Sequence, residues 1–109
     1  MKLEKYIFCF TSANYRASQR TGVPLLHMTQ LRYLYGLRRL GVVSQASLSD
    51  FIYHHRVDTN RRDNRATWND LDVLVTRGLA SRENRRYSIT PLGREYLSHI
   101  RQYLLNKRL

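Results

Sequence analysis

The side chains in this chain best equipped for chemistry are its arginines. There are sixteen, with three lysines and eight acids, for a net charge of +11. A guanidinium presents a planar fork of donors that matches two phosphate oxygens at once and also fits the acceptor edge of guanine. Arg56, Arg61 and Arg62 cluster in one polar stretch, Arg65 and Arg77 bracket the next, and Arg82, Arg85 and Arg86 follow closely. This is the chemistry of polyanion binding. A high positive charge raises the encounter rate with polyanions but does not choose among nucleic acid, membrane surface and acidic protein. Residues 1–41 hold seven bases and one acid, and residues 54–86 eight bases and five acids. The charge is thus spread over several segments, as on a folded surface, and is not gathered in a basic tail.

Other chemistries find little support. His27, His54, His55 and His99 do not have the spacing of a metal motif, and the adjacent pair points in different directions on a helix. A single cysteine, Cys9, excludes an intramolecular disulfide framework and a cysteine-rich zinc site. No glycine-rich phosphate loop is present. Tyr33, Tyr35, Tyr87, Tyr96 and Tyr103 fit apolar stripes better than a nucleophile's position. No catalytic residue, metal or cofactor is expected, and the protein is not expected to be an enzyme. No apolar run approaches the roughly 18 residues of a membrane span. The run Tyr6–Phe10 is too short for a signal peptide, so the expected compartment is the cytoplasm, with no membrane partner.

The elements that must position the arginines follow from periodicity. The 109 residues, 42% hydrophobic and 25% charged, suit one folded domain. Leu3, Ile7 and Phe10 have helical spacing, although Tyr6–Phe10 also suits a buried strand. A helix is predicted over 29–40, with Thr29 as N-cap, a stripe of Leu31, Leu34, Tyr35 and Leu37, and Gly41 at its end. A second covers 44–55, started by Ser44 or by Ser47 with Asp50, and buries Leu48, Phe51 and Ile52. Residues 56–63 form a polar loop. A third helix over 64–77 buries Trp68, Leu71, Leu74 and Val75, leaving Arg65, Thr67, Asn69, Asp70, Asp72, Thr76 and Arg77 outward. The period then changes to two around Glu83-Asn84-Arg85, which reads as a hairpin. Thr90-Pro91 starts a last helix with the stripe Leu92, Tyr96, Ile100, Tyr103 and Leu104.

The run Leu74-Val75-Thr76-Arg77-Gly78-Leu79-Ala80-Ser81-Arg82, followed by Arg86-Tyr87-Ser88-Ile89-Thr90-Pro91-Leu92-Gly93, resembles the third helix, wing and fourth-helix start of MarR/PadR-type winged helix-turn-helix regulators. The resemblance covers about residues 29–105. It implies a mainly α fold with a small β-hairpin: residues 1–28 as an N-terminal segment and part of a dimer interface, 29–90 as a winged helix-turn-helix core, and 91–109 as a long C-terminal helix. It further implies sequence-specific binding of double-stranded DNA, by a transcriptional regulator or a mobile-element accessory factor. The recognition helix would enter the major groove with Arg65, Thr67, Asn69 and Arg77. The wing would bring Arg82, Arg85 and Arg86 to the backbone or minor groove. Arg56, Arg61, Arg62 and Ser47 would contact phosphates.

The apolar face of the last helix, with Tyr96, Leu97, Ile100, Tyr103, Leu104 and Leu105, is wide. Paired with Leu3–Phe10 it predicts a homodimer offering two recognition helices to a pseudo-palindromic duplex. The alternative is a monomer whose N-terminal segment covers that helix. The competing function is a winged-helix module that docks an acidic protein through its basic face.

Overall fold

The computed structural model describes the backbone of residues 2–53 and 64–107 and the side chains of residues 11–52 and 68–106. Among these, helical spacing in the sequence becomes five helices: α1 (Lys2–Thr21), α2 (Met28–Leu40), α3 (Gln45–Tyr53), α4 (Asn64–Thr76) and α5 (Pro91–Lys107). Three short strands, β1 (Val43–Ser44), β2 (Ala80–Glu83) and β3 (Arg86–Ile89), form an antiparallel sheet in the order β1-β3-β2. The fold is therefore mainly helical with a small sheet. No described helix is long and apolar enough to cross a membrane.

The core lies where α2 is enclosed by α3, α4, α5 and the sheet. Leu34, Leu37, Leu48, Leu71, Leu74 and Leu79 are fully buried in it, each contributing about 1.5–3 kcal/mol over an exposed position. The stripe of α2 is rotated from the sequence expectation. Tyr33 is buried, while Tyr35 is about half exposed, because the buried arc runs through Gln30, Leu31, Tyr33, Leu34 and Leu37. On α3, Leu48 is buried and Ile52 partly so, but Phe51 stands at the edge, 36% exposed. The α5 stripe of Leu92, Tyr96, Ile100, Tyr103 and Leu104 does face the core.

α1 lies along α5 within the chain, its Ala13 and Ala17 buried in the same core as Tyr96, Leu97 and Ile100. The small alanines let the two helices approach closely. The side chains of Leu3–Phe10, which were to cover α5 across a two-fold axis, and that of Cys9 lie outside the described residues. The linker 22–27 is tied down carbonyl by carbonyl. Ser18 Oγ donates to Val23 O at 2.5 Å, and Asn14 Nδ2 donates to Leu26 O at 2.8 Å.

The helix caps differ in part from expectation. His27, not Thr29, is the N-cap of α2, and its N–H donates to Gln30 Oε1 at 3.0 Å. Ser44 starts α3: its hydroxyl accepts the Ser47 N–H at 3.2 Å. Ser44 also belongs to β1, a strand too short for any period to reveal. At the end of α4 the Leu79 N–H bonds Leu74 O and the Gly78 N–H bonds Val75 O. This paired closure needs a left-handed residue, which Gly78 supplies at φ +76°.

Thr90 joins two elements at that point. Its hydroxyl accepts the Gly93 N–H at 3.1 Å, capping α5, and donates to Gly78 O at 2.5 Å. Gly93 then passes directly over the β2 entrance. A Cβ added there would lie 2.2 Å from Leu79 O and 2.7 Å from Ile89 Cγ1. Only a bare backbone allows α5 to dock so near the sheet.

Candidate functional site

The hairpin reverses through two residues, Asn84 and Arg85, between the paired Glu83 and Arg86. The turn is one residue shorter than the Glu83-Asn84-Arg85 stretch expected. Both central residues have positive φ, 51° and 63°, the arrangement that matches the twist of flanking strands. Asparagine tolerates this region readily. Arginine does so only at a cost of about 1 kcal/mol, where glycine is the relaxed choice. The tip thus holds a guanidinium at a position that local stability alone would give to glycine.

Register assigns the remaining hairpin side chains to faces. Ala80 pairs with Ile89 and Arg82 with Tyr87, so these four share the inner face. Ala80 and Tyr87 are buried there, and the exposed Arg82 reaches back so that its Cζ lies 5.8 Å from the centre of the Tyr87 ring. Arg82 therefore braces the hairpin as a cation over an aromatic face. The outer face carries Ser81 and Ser88, with hydroxyls 2.9 Å apart, and the exposed Arg86 between Glu83 and Ser44.

The pairing of Ser44 with Arg86 brings the start of α3 beside the hairpin. Ser44 Oγ donates to Ser47 Oγ at 3.1 Å while accepting the Ser47 N–H. Ser47 is exposed. The site thus combines a helix N-terminus, whose amides and dipole favour an anion, with Arg86 on the neighbouring strand and Arg85 one residue further. Sequence reasoning named Ser47, Arg85 and Arg86 separately, but their adjacency depends on β1.

On α4 the exposed flank, among described side chains, consists of Trp68, Asn69, Asp72 and Thr76. Trp68, expected in the core, is 43% exposed. The buried arc centres on Leu74 and takes in Asp70 and Arg77, so Trp68 falls past its margin. Asp70, expected outward, is partly buried and accepts from Gln30 Nε2 at 3.4 Å. That contact accompanies the packing of Leu71 and Leu74 toward the core on the same side of α4. Arg77 is also redirected. Its Nη1 donates to Leu25 O at 3.0 Å and approaches Pro24 O at 3.4 Å. It is an anchor for the α1–α2 linker rather than a member of the outward flank, because the last turn of α4 faces those carbonyls. Asn69 remains outward. The side chains of Arg65 and Thr67, and residues Arg56, Arg61 and Arg62, lie outside the described residues.

Burial pushes the Tyr96 phenol above its ordinary value, against the lowering effects of a Leu26 backbone hydrogen bond and the Arg77 charge. Its hydroxyl donates to Asn14 Oδ1, and Asn14 also holds Leu26 O, so the group belongs to the linker's packing. His99 lies 3.8 Å from Glu95, one turn away on α5. Among the described residues, no group of three or more His, Cys, Asp or Glu is placed to hold a metal ion.

No family model, curated protein or solved structure matches the chain. The class that stands on geometry is a small, strongly basic, mainly helical domain with a three-stranded antiparallel sheet.

Proposed function

We propose that the protein binds double-stranded DNA in a sequence-specific manner as a winged helix-turn-helix of the MarR/PadR type, acting as a transcriptional regulator or a mobile-element accessory factor. The observation that carries the reading is the junction of β1 and β3, where the α3 N-terminus adjoins Arg86 and the arginine-tipped turn. Two kinds of phosphate ligand meet there: oriented helix amides and guanidiniums. The α4 flank with Asn69 and Thr76 supplies polar groups for base edges, and an asparagine can pair with adenine in the major groove. Arg85 and Arg86 take the backbone or the minor groove. Two copies joined through α1 and α5 would present two such surfaces to related half-sites.

Selection from a random duplex pool tests this reading. Enrichment of a defined motif supports it, and no enrichment at moderate salt rejects it. Light scattering tests the two-copy form, which a monomer at micromolar concentration excludes. A second reading, docking of an acidic protein on the basic face, draws on exposed Trp68. Tryptophan and arginine together are typical anchors of protein interfaces. That reading requires duplex affinity no greater than weak charge attraction.

A further inference from the structure

A second basic site lies on α1 and α5, away from the proposed duplex-binding surface of α3, α4 and the hairpin. α1 and Tyr103 of α5 border an open surface groove of about 590 Å³, lined on the α1 side by Thr11, Ser12, Tyr15, Arg16, Gln19 and Arg20. No residue of α3, α4 or the hairpin contributes. We propose that this groove binds a phosphate-bearing molecule of mononucleotide size.

The charges supply the first argument. Arg16 and Arg20 are exposed one helical turn apart, and like charges at that spacing disfavour a helix. No acidic side chain among the described residues pairs with either. An anion between them removes the repulsion, and a phosphate group can engage both guanidinium forks with its several oxygens.

The walls supply the second. Tyr15 is 57% exposed, yet its phenol oxygen accepts a hydrogen bond from Gln19 Nε2 at 3.1 Å, which holds the ring over the groove's own helix. Tyr103, partly buried against the core on α5, borders the groove on its other side. A planar base gains by stacking on such faces. The volume lies within the range of about 300–1,000 Å³ common to small-molecule sites.

The test is amide NMR on the full chain with three probes: adenosine monophosphate, inorganic pyrophosphate and adenosine. The nucleotide should shift amides of residues 11–20 and of Tyr103 saturably, pyrophosphate should do so more weakly, and adenosine should not. Arg16→Ala with Arg20→Ala should weaken nucleotide binding about tenfold or more, with an unchanged far-ultraviolet spectrum and a melting temperature no lower than the parent's. Arg85→Ala with Arg86→Ala should leave the nucleotide shifts intact, which separates this site from duplex binding. The proposal is overturned if the shifts fall on α4 and the hairpin, if adenosine binds as well as the nucleotide, if pyrophosphate binds as tightly as the nucleotide, or if the double variant binds like the parent.

Discussion

Arg77 and Leu25, 52 residues apart in sequence, are joined by a 3.0 Å hydrogen bond from Nη1 to the carbonyl. The bond closes the C-terminal end of α4 onto the linker that leads from α1 into α2. Its neighbours act on the same short stretch: Ser18 on Val23 O and Asn14 on Leu26 O. Arg77→Ala should therefore destabilise the fold by about 1 kcal/mol, the usual worth of a partly exposed hydrogen bond with a charged donor. Arg77→Lys should not recover it fully, since an ammonium on a shorter, more flexible stem places its donors differently from Nη1. Chemical denaturation measures both. Duplex affinity of the folded Arg77→Ala protein should stay close to that of the parent; a large loss would return Arg77 to the interface.

The turn residue Arg85 separates stability from binding. Arg85→Gly relieves positive φ and should leave stability unchanged or raise it by up to about 1 kcal/mol. The same change should weaken duplex binding and lower the slope of log affinity against log salt by about 1, the loss of one phosphate contact. Arg86→Ala should add a similar decrement. Affinity measured at several salt concentrations decides. A slope unaltered in the double variant removes the hairpin from the proposed interface.

Gly93 sets the distance between α5 and the sheet. A methyl group 2.2 Å from Leu79 O cannot be accommodated without moving the helix. That same carbonyl accepts the Thr90 N–H, so any shift also strains the ladder. Gly93→Ala should cost about 3 kcal/mol through overpacking, read as a lower denaturation midpoint. A midpoint equal to the parent's would show that α5 can slide freely on the sheet.

Tyr96 contributes to the loss of stability at alkaline pH. Its folded pKa is raised by burial, so above about pH 10 the unfolded chain loses the phenolic proton before the folded one does. The unfolded state then binds fewer protons, and stability falls as pH rises. Tyr96→Phe should cost about 1 kcal/mol at neutral pH from the lost bond to Asn14. It should also flatten the alkaline decline. Melting temperature followed from pH 7 to about pH 11 checks both parts, and an equally steep decline in the variant would place the titration elsewhere.

Helix positions were largely legible because apolar spacing is local information. Leu71 and Leu74 mark α4, and Thr90-Pro91 marks the start of α5 whatever packs around them. Exposure was less legible. Trp68, Tyr35 and Phe51 occupy apolar positions in their own helices, but each stands beyond the arc its neighbours cover. Which side of an amphipathic stripe is deepest depends on the partner helix, and on α4 the side that meets α2 takes in Asp70, which accepts from Gln30, and leaves Trp68 out. The missed strand β1 has two residues. A pair so short is defined only by hydrogen bonds to Tyr87 and Arg86, more than forty residues away.

By itself the sequence determined the basic charge, the succession of helices and hairpin, and the arginines available at the hairpin, since all of these depend on residue type and near-neighbour spacing. Tertiary structure alone decided which arginines remain outward. Arg77 was drawn to the linker carbonyls, Arg82 stayed exposed but leans over the Tyr87 ring, and Arg85 and Arg86 stayed exposed near the start of α3. The physical reason is that the acceptors and rings a guanidinium can reach are settled by how the elements pack.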